Sequence, residues 1–379
     1  MFICKTESQS SDFGLEWGKE NGKTGQPPKS KRLLLKKRGN KMELKRIYIE
    51  LTNRCNLNCE MCFRHTWDTV EGDMDLELLK SIREQVKAFP SLKEVFFGGI
   101  GEPTVYPYFK EAVELFADYD LFMTSNGIMS DEKAKLVCEK FTEVYFSADQ
   151  YHEDSQGVKD QLINTFEIFA DYRKRTHSST PKVGIAYVLT KSNSEALFDI
   201  MKMMRHYGFH RLSLSHLLPI NAKDTEDIFY NRYENPEGKA YLEKIFTYRD
   251  IKINIPDMEL KTERRCSFID KGYIYVDAGG EVMSCYRLAN SYDEYVFGDK
   301  KRVLKHSFGN VKENSLNAII EGKDYQNFWN TVYNNQYPSC IDCDLRGGCS
   351  LVEDTKYDCY FNTPSCSDCL WVRNFIRCP

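Results

Sequence analysis

Six short runs between Arg46 and His216, each apolar along its body and polar at its carboxyl end, constrain this chain more than any other feature: "RIYIEL", "EVFFGG", "LFMTSN", "VYFSAD", "VGIAYVLT" and "RLSLSH". Between them lie stretches with helical periodicity, such as "DLELLKSIREQVKAF" and "EALFDIMKMMRHYG", the second closing on a glycine suited to a helix C-terminus. Strands that alternate with helices pair in parallel, because each crossover returns the chain to the same end of the sheet. The polar ends must then gather on one rim. Cys55 follows the first strand and Glu102 the second; Ser125 and Asn126 end the third, Ser147 and Asp149 the fourth, Thr190 the fifth, and Ser215 and His216 the sixth. The expectation is an α/β fold, a partial (β/α)6 TIM-like barrel with its site at the carboxyl rim. Any one of these polar residues could simply begin a loop. An acid, glycines and thiols on the same rim call for more than that.

At 379 residues and 41% hydrophobic, the chain has material for more than one domain and a packed core. No apolar run is long enough to span a membrane, and "MFICKTESQS" lacks the pattern of a secretory signal, so a cytoplasmic protein without membrane contact is expected. A formal charge of -4 makes no general case for nucleic acid; the basic run at 29–46 reads as a solvated leader. Residues 1–43 are expected to be a disordered basic leader, with Met42 a second candidate start. The barrel is expected over 44–220, a polar linker ending in a helix over 221–263, and a turn-rich, cysteine-rich domain over 264–379.

Fourteen cysteines in a chain with no export signal, concentrated in pairs and triplets, point to metal ligation rather than disulfides. In "CNLNCEMC", Cys55, Cys59 and Cys62 stand at a three-then-two spacing rather than as the two close pairs usual for structural zinc. A cubane iron–sulfur cluster can take three thiolates and leave one iron open; a fourth, distant cysteine would instead complete a zinc or electron-transfer site. Nine more thiols lie between Cys266 and Cys378, and the "CIDC" and "CSDC" pairs fit zinc by spacing as well as they fit a cluster. Cys4 and Cys138 fall outside every motif, Cys138 as a buried free thiol; His65 and Trp67 read as loop packing.

With "GGIGEP" behind it, the triplet resembles the radical S-adenosylmethionine (radical SAM) superfamily over residues 44–220. The resemblance implies that S-adenosylmethionine chelates the open iron, that an electron from the [4Fe-4S] cluster splits its sulfonium, and that the 5′-deoxyadenosyl radical abstracts hydrogen from substrate. It implies that Gly98 and Gly99 let backbone approach the methionine ammonium and that Glu102 pairs with it. Ser125 and Asn126 would reach the methionine carboxylate or ribose, and Ser147 and Asp149 the ribose hydroxyls. Val188, His216 and the carbonyl of Met61, where the family commonly has an aromatic residue, would meet the adenine.

The run from Cys266 through Gly280 to Cys285, then Cys340, Cys343 and Cys349 in "CIDCDLRGGC", resembles the SPASM extension of these enzymes, which holds two auxiliary [4Fe-4S] clusters. The resemblance gives Cys266 and Cys285 to the first and Cys340, Cys343 and Cys349 to the second. Glu353 stands where the family has its next cysteine. Cys359, Cys366, Cys369 and Cys378 are the remaining candidates, nine thiols for at most eight positions. A ferredoxin- or flavodoxin-type electron donor is implied.

The ending "DCYFNTPSCSDCLWVRNFIRCP" resembles a narrower group, the radical maturases associated with tungsten-containing oxidoreductases, whose implied substrate is that enzyme or its pterin cofactor. Two other readings compete. A peptide-modifying radical enzyme, or a sulfatase-type maturase, is opposed by Tyr286, which occupies the position of an aspartate base, and by a first forty residues too short and polar for a precursor-binding domain. A non-catalytic iron–sulfur electron carrier has no use for "GGIGEP" and the polar rim. No catalytic residue is named at this level.

Overall fold

The computed structural model describes residues 42–149 and 156–377. The expected basic leader lies almost wholly outside these residues, as do Cys4 and Cys378.

All six expected strands form. They are β1 (Arg46–Ile49), β2 (Glu94–Phe97), β3 (Asp120–Ser125), β4 (Glu143–Ser147), β5 (Lys182–Leu189) and β6 (Arg211–His216), each parallel to the next. Five helices make the crossovers: α1 (Leu76–Val86), α2 (Phe109–Leu115), α3 (Asp131–Lys140), α4 (Gln156–Thr176) and α5 (Leu197–Tyr207). Helix α1 starts where the Asp75 carboxylate accepts the N–H groups of Glu77 (2.8 Å) and Leu78 (3.2 Å), and it buries Leu78, Leu79, Ile82 and Val86 at helical spacing. Helix α5 ends as its sequence suggested, on Gly208 with φ +68°.

The sheet is wider than the expectation, with nine strands in the order β7-β6-β5-β4-β3-β2-β1-β8-β9. Residues 221–263, read from sequence as linker and helix, hold α6 (Asp224–Asp227), α7 (Pro236–Ile245) and the three-residue β7 (Lys252–Asn254), which extends the parallel sheet beyond β6. On the other side β8 (Tyr273–Val276), from the cysteine-rich region, pairs in parallel with β1 (Ile47↔Ile274), and β9 (Val282–Met283) folds back on it.

Side chains alternate across a strand. Ile47, Ile49, Val95, Phe97, Leu121, Met123, Val144, Phe146, Ile185, Leu212 and Leu214 point out into the core beneath the helices. Tyr48, Phe96 and Tyr275 point in and pack with Phe268 of α8 (Ser267–Lys271). The rest of the C-terminal region comprises a hairpin, β10 (Tyr292–Val296) with β11 (Asp299–Val303), the helices α9 (Leu316–Glu321) and α10 (Lys323–Tyr333), and turns. Its last segment returns to the barrel rim, where His216 donates its N–H to the Phe375 carbonyl (3.1 Å) and Arg377 its N–H to Ser215 Oγ (3.1 Å).

Candidate active site and cysteine centres

The cysteine loop leaves β1 already anchored. Asn53 holds the Val70 carbonyl and the Gly72 N–H, and Arg54 pairs with Asp73 (Nε to Oδ1, 3.0 Å). The "GGIGEP" loop clasps it from the side: Glu102 donates its N–H to the Arg54 carbonyl at 2.8 Å, and a Cβ on Gly101 would lie 2.6 Å from that same carbonyl oxygen. Gly101 is therefore glycine because two backbones meet there. It was missed in the sequence, although its signal, a third glycine in the motif, was present. The spaces beside Gly98 and Gly99 are filled by protein: a Cβ on Gly98 would meet the Phe96 ring, and one on Gly99 the Tyr275 hydroxyl (2.7 Å) and the Glu50 carboxyl.

Within the loop, Cys62 donates its N–H to the Cys59 carbonyl (3.1 Å), and Cys55 Sγ accepts from Leu57 N (3.4 Å) and Asn126 Nδ2 (3.7 Å). All three thiols are partly exposed. Burial pushes the Cys55 and Cys62 thiols up, and the nearby Glu102 carboxyl adds to the effect on Cys55. Bound metal would supply the positive charge that makes thiolates favourable there. Among the described residues no three Cys, His, Asp or Glu side chains are arranged to hold a single metal ion.

Glu102 is 2% exposed. Its Oε1 accepts from Thr104 N (3.0 Å), Thr104 Oγ1 (2.7 Å) and Ser125 Oγ (2.9 Å), and its Oε2 from Asn126 N (2.7 Å). Burial raises its pKa, and these donors oppose the rise. A carboxylate offers about four acceptor directions, and three of the donors here gather on Oε1 with one on Oε2.

Strand parity sorts the remaining rim residues. Ser147, Asp149, Val188 and Ser215 fall on the inward row with Asn126, and Asp149 Oδ1 accepts the Val188 N–H at 2.6 Å. Ser125 and His216 fall on the outward row. The Ser125 hydroxyl donates to Glu102 and accepts from Gly127 N (3.0 Å), which makes it a strut for the acid. His216 is buried, with Nε2 against the Asp257 carbonyl (3.0 Å) and its ring against Tyr230 (5.0 Å), and burial lowers its pKa to about 4. It is a packed histidine on the outward row of β6. Met61 is partly exposed beside Cys62. His65 bonds the Cys59 carbonyl (2.9 Å), and Trp67 packs edge-on to Phe63, so both belong to the loop. Cys138 is a buried thiol in α3 that burial pushes up to about 12.

The eight described C-terminal thiols fall into two groups of four. Cys266, Cys285, Cys366 and Cys369 line one apolar cavity with Phe268, Leu288, Phe328 and Trp371, and burial foremost, then their mutual charge, pushes Cys266 and Cys366 up. Cys359, pushed up by burial and Asp358, also feels Cys349 and Cys343, and Cys340 feels Cys359, which defines an outer, more exposed group. Cys359 thus lies near Cys343 and Cys349, where the sequence has Glu353 in place of a cysteine, and Cys366 and Cys369 lie with Cys266 and Cys285. The "CSDC" pair lines the inner cavity, and the "CIDC" pair belongs with the outer group. The 366–369 turn touches both, since Cys340 donates its N–H to the Ser367 carbonyl (3.0 Å).

The triplet loop is clamped to this region. Phe63, next to Cys62, packs on Tyr292 (5.4 Å) and Tyr286 (6.5 Å), Thr69 bonds Asn290, and Asp68 pairs with Arg302. Tyr286 sits between Phe63 and Trp371, whose Nε1 donates to its hydroxyl at 3.4 Å.

A family model described as the radical SAM superfamily matches residues 49–229, and one described as an iron–sulfur cluster-binding domain, SPASM, matches 266–344. The chain is 37% identical, over 89% of its length and 97% of the relative's, to the tungsten-containing aldehyde ferredoxin oxidoreductase cofactor-modifying protein of Pyrococcus furiosus. It is 30% identical, over 32% of its length and 43% of the relative's, to the S-adenosyl-L-methionine-dependent tRNA 4-demethylwyosine synthase of Methanocaldococcus jannaschii. Among solved structures, Streptococcus suis SuiB bound to S-adenosylmethionine superposes with a TM-score of 0.54 at 14% identity, covering 82% of this chain and 73% of that one. The protein anSMEcpe, also with bound S-adenosylmethionine, gives 0.54 at 18% identity, covering 81% and 86%. At such identities these two speak to the fold alone.

Proposed function

Because this chain belongs to the radical SAM superfamily and carries a SPASM iron–sulfur domain, we propose that it acts in the maturation of a tungsten-containing aldehyde oxidoreductase, on that enzyme or on its pterin cofactor. The observation that carries this reading is the likeness to a cofactor-modifying protein across 97% of that relative, through barrel and C-terminal thiols alike. S-adenosylmethionine bound at a [4Fe-4S] cluster supplies a 5′-deoxyadenosyl radical able to abstract hydrogen from an unactivated position. The chain's own part is to hold and orient. Cys55, Cys59 and Cys62 would hold that cluster, and Glu102 would pair with the methionine ammonium. Asn126, Ser147, Asp149 and Val188 line the inward rim where ribose and adenine would lie. The two four-thiol groups hold auxiliary clusters, and a ferredoxin- or flavodoxin-type protein supplies electrons.

Tyr286 weighs against the sulfatase-type alternative, since its hydroxyl is engaged by Trp371 between two aromatic rings and cannot replace a carboxylate base. The test is genetic and chemical. Deleting the gene in its host should leave the tungsten enzyme present but inactive, with an altered or incomplete cofactor. Full tungsten-enzyme activity, together with the loss of a modification mass from a cysteine-rich peptide, would favour the peptide-modifying reading instead.

A further inference from the structure

The cavity shared by Cys266, Cys285, Cys366 and Cys369 is mostly apolar, with Ser267, Ser284 and Tyr286 in its lining and one charged group, Arg287. This residue lies on the single 3-10 turn Tyr286–Leu288 that follows Cys285, and it is 2% exposed. Its Nε and Nη2 face Glu294 of β10, a fully buried carboxylate that also accepts from the Tyr292 hydroxyl (3.3 Å). Glu294 does not line the cavity, although its charge still reaches Cys369. Nη1 is buried and has no hydrogen-bond partner in the protein. An unpaired buried donor costs about 1–3 kcal/mol, and more for a charged group. A fold that keeps one beside four thiols has an acceptor in view, and with the cavity filled that acceptor is sulfur.

The outer group is arranged differently. Its buried cation Lys301 is satisfied by the Asp368 carboxylate (3.0 Å) and by the carbonyls of Val352 (3.0 Å) and Asp354 (2.8 Å). Arg346 also leaves one nitrogen unpaired there, but it is bracketed by two carboxylates, Asp299 at 2.7 Å and Asp368 at 3.4 Å. At the inner group the guanidinium of Arg287, with one carboxylate partner in Glu294, lines the cavity beside the cysteines. Net charge and hydrogen bonds to sulfur are two of the quantities that set the reduction potential of an iron–sulfur cluster. An apolar cavity by itself disfavours the extra negative charge of the reduced state.

We propose that Arg287 sets the potential of the inner auxiliary cluster, donating from Nη1 to a cluster or cysteine sulfur and placing its charge where the reduced state needs it. The proposal rests on the reading of these four cysteines as a [4Fe-4S] site. The two can fail separately.

The experiment uses the full chain with Cys55, Cys59 and Cys62 replaced by alanine, so that only the auxiliary clusters report. Anaerobic protein is titrated with reductant and followed by electron paramagnetic resonance, with iron and zinc counted in parallel. In Arg287→Gln one of the two midpoint potentials should fall while the other stays; Arg287→Lys should fall less. Glu294→Gln, which removes the anion paired with the arginine without altering the cavity wall, should raise the same potential. Unchanged potentials at full iron content overturn the proposal, as does an equal drift of both. If Arg287→Gln loses a cluster outright, Glu294→Gln decides the matter, and no shift there overturns the proposal too. Only about four irons, or stoichiometric zinc, in the parent variant would overturn the cluster reading itself.

Discussion

At the scale of single residues, the barrel interior is set by Glu50, which is 3% exposed just past the end of β1 and accepts the Ile100 N–H at 3.1 Å. Burial raises its pKa to about 7 against the opposing hydrogen bonds from Ile100 and Tyr275, and the Asp277 charge adds to the rise. The unfolded chain gives up this proton near pH 4.5, while the folded chain keeps it to about 7. Stability from this site is therefore complete below the lower value, falls across the window and is flat above it. The difference amounts to roughly 3 kcal/mol. Glu50→Gln, which keeps an acceptor for Ile100, should melt close to wild type at pH 5 and clearly above it at pH 8; parallel melting curves against pH would rule this out. For the cysteine triplet the expected result is chemical. Replacing Cys55, Cys59 and Cys62 with alanine should abolish release of 5′-deoxyadenosine while leaving about eight irons bound, and unchanged cleavage would remove these residues from the reaction. The triplet was legible in the sequence because its spacing is local. His216 was not, because a strand's end tells which residues reach the rim but only its register tells which face they take, and one position's shift reverses that.

The element that most closely couples fold to site is the "GGIGEP" turn after β2. Its first two glycines are filled in by Phe96, Glu50 and Tyr275, whereas its third meets the backbone of the cysteine loop. Gly101→Ala must push that loop aside, at a cost of about 1–3 kcal/mol, and should lower the iron content by about four per chain. Gly347, in the outer cysteine loop, has nothing within 4 Å of the point where a methyl group would sit, so Gly347→Ala serves as the control and should leave melting and iron unchanged. If both variants behave alike, backbone contact at Gly101 is not what holds the triplet loop. Six strands and the helices between them could be read from periodicity, since each buries several apolar residues at a clear spacing. Strand β7 could not: its three residues, Lys252, Ile253 and Asn254, are too few and too exposed to carry a pattern. Strand β8 was hidden for another reason. Its "YIYV" alternation is strong, but a strand past a cysteine at 266 gives no local sign that it pairs with residue 46.

Across the whole molecule, thiol ligation and the barrel sheet are mechanically connected. Cys266 and Cys285 flank the segment holding β8 and β9, and β8 hydrogen-bonds directly to β1, the strand that delivers the triplet loop. The partition of the eight described thiols could not be read from spacing, because Cys359 joins the outer group from ten positions beyond Cys349, and Cys366 and Cys369 reach back to Cys266 only after the chain reverses. Bound metal would tie together a region in which few long elements do so. Anaerobic protein should contain roughly twelve irons, three cubanes of four. On exposure to air, clusters should be lost in order of access. The outer group goes first, since Cys359 is exposed, and the enclosed inner group later. Hydrogen exchange followed by mass spectrometry should show protection lost first across 340–359 and then across 266–285, with β8 loosening from β1. Strands β2 to β6, whose core does not depend on metal, should stay protected longest. Simultaneous loss over the whole chain, or loss that begins in the barrel, would mean that the thiol groups do not hold the C-terminal region as separate units.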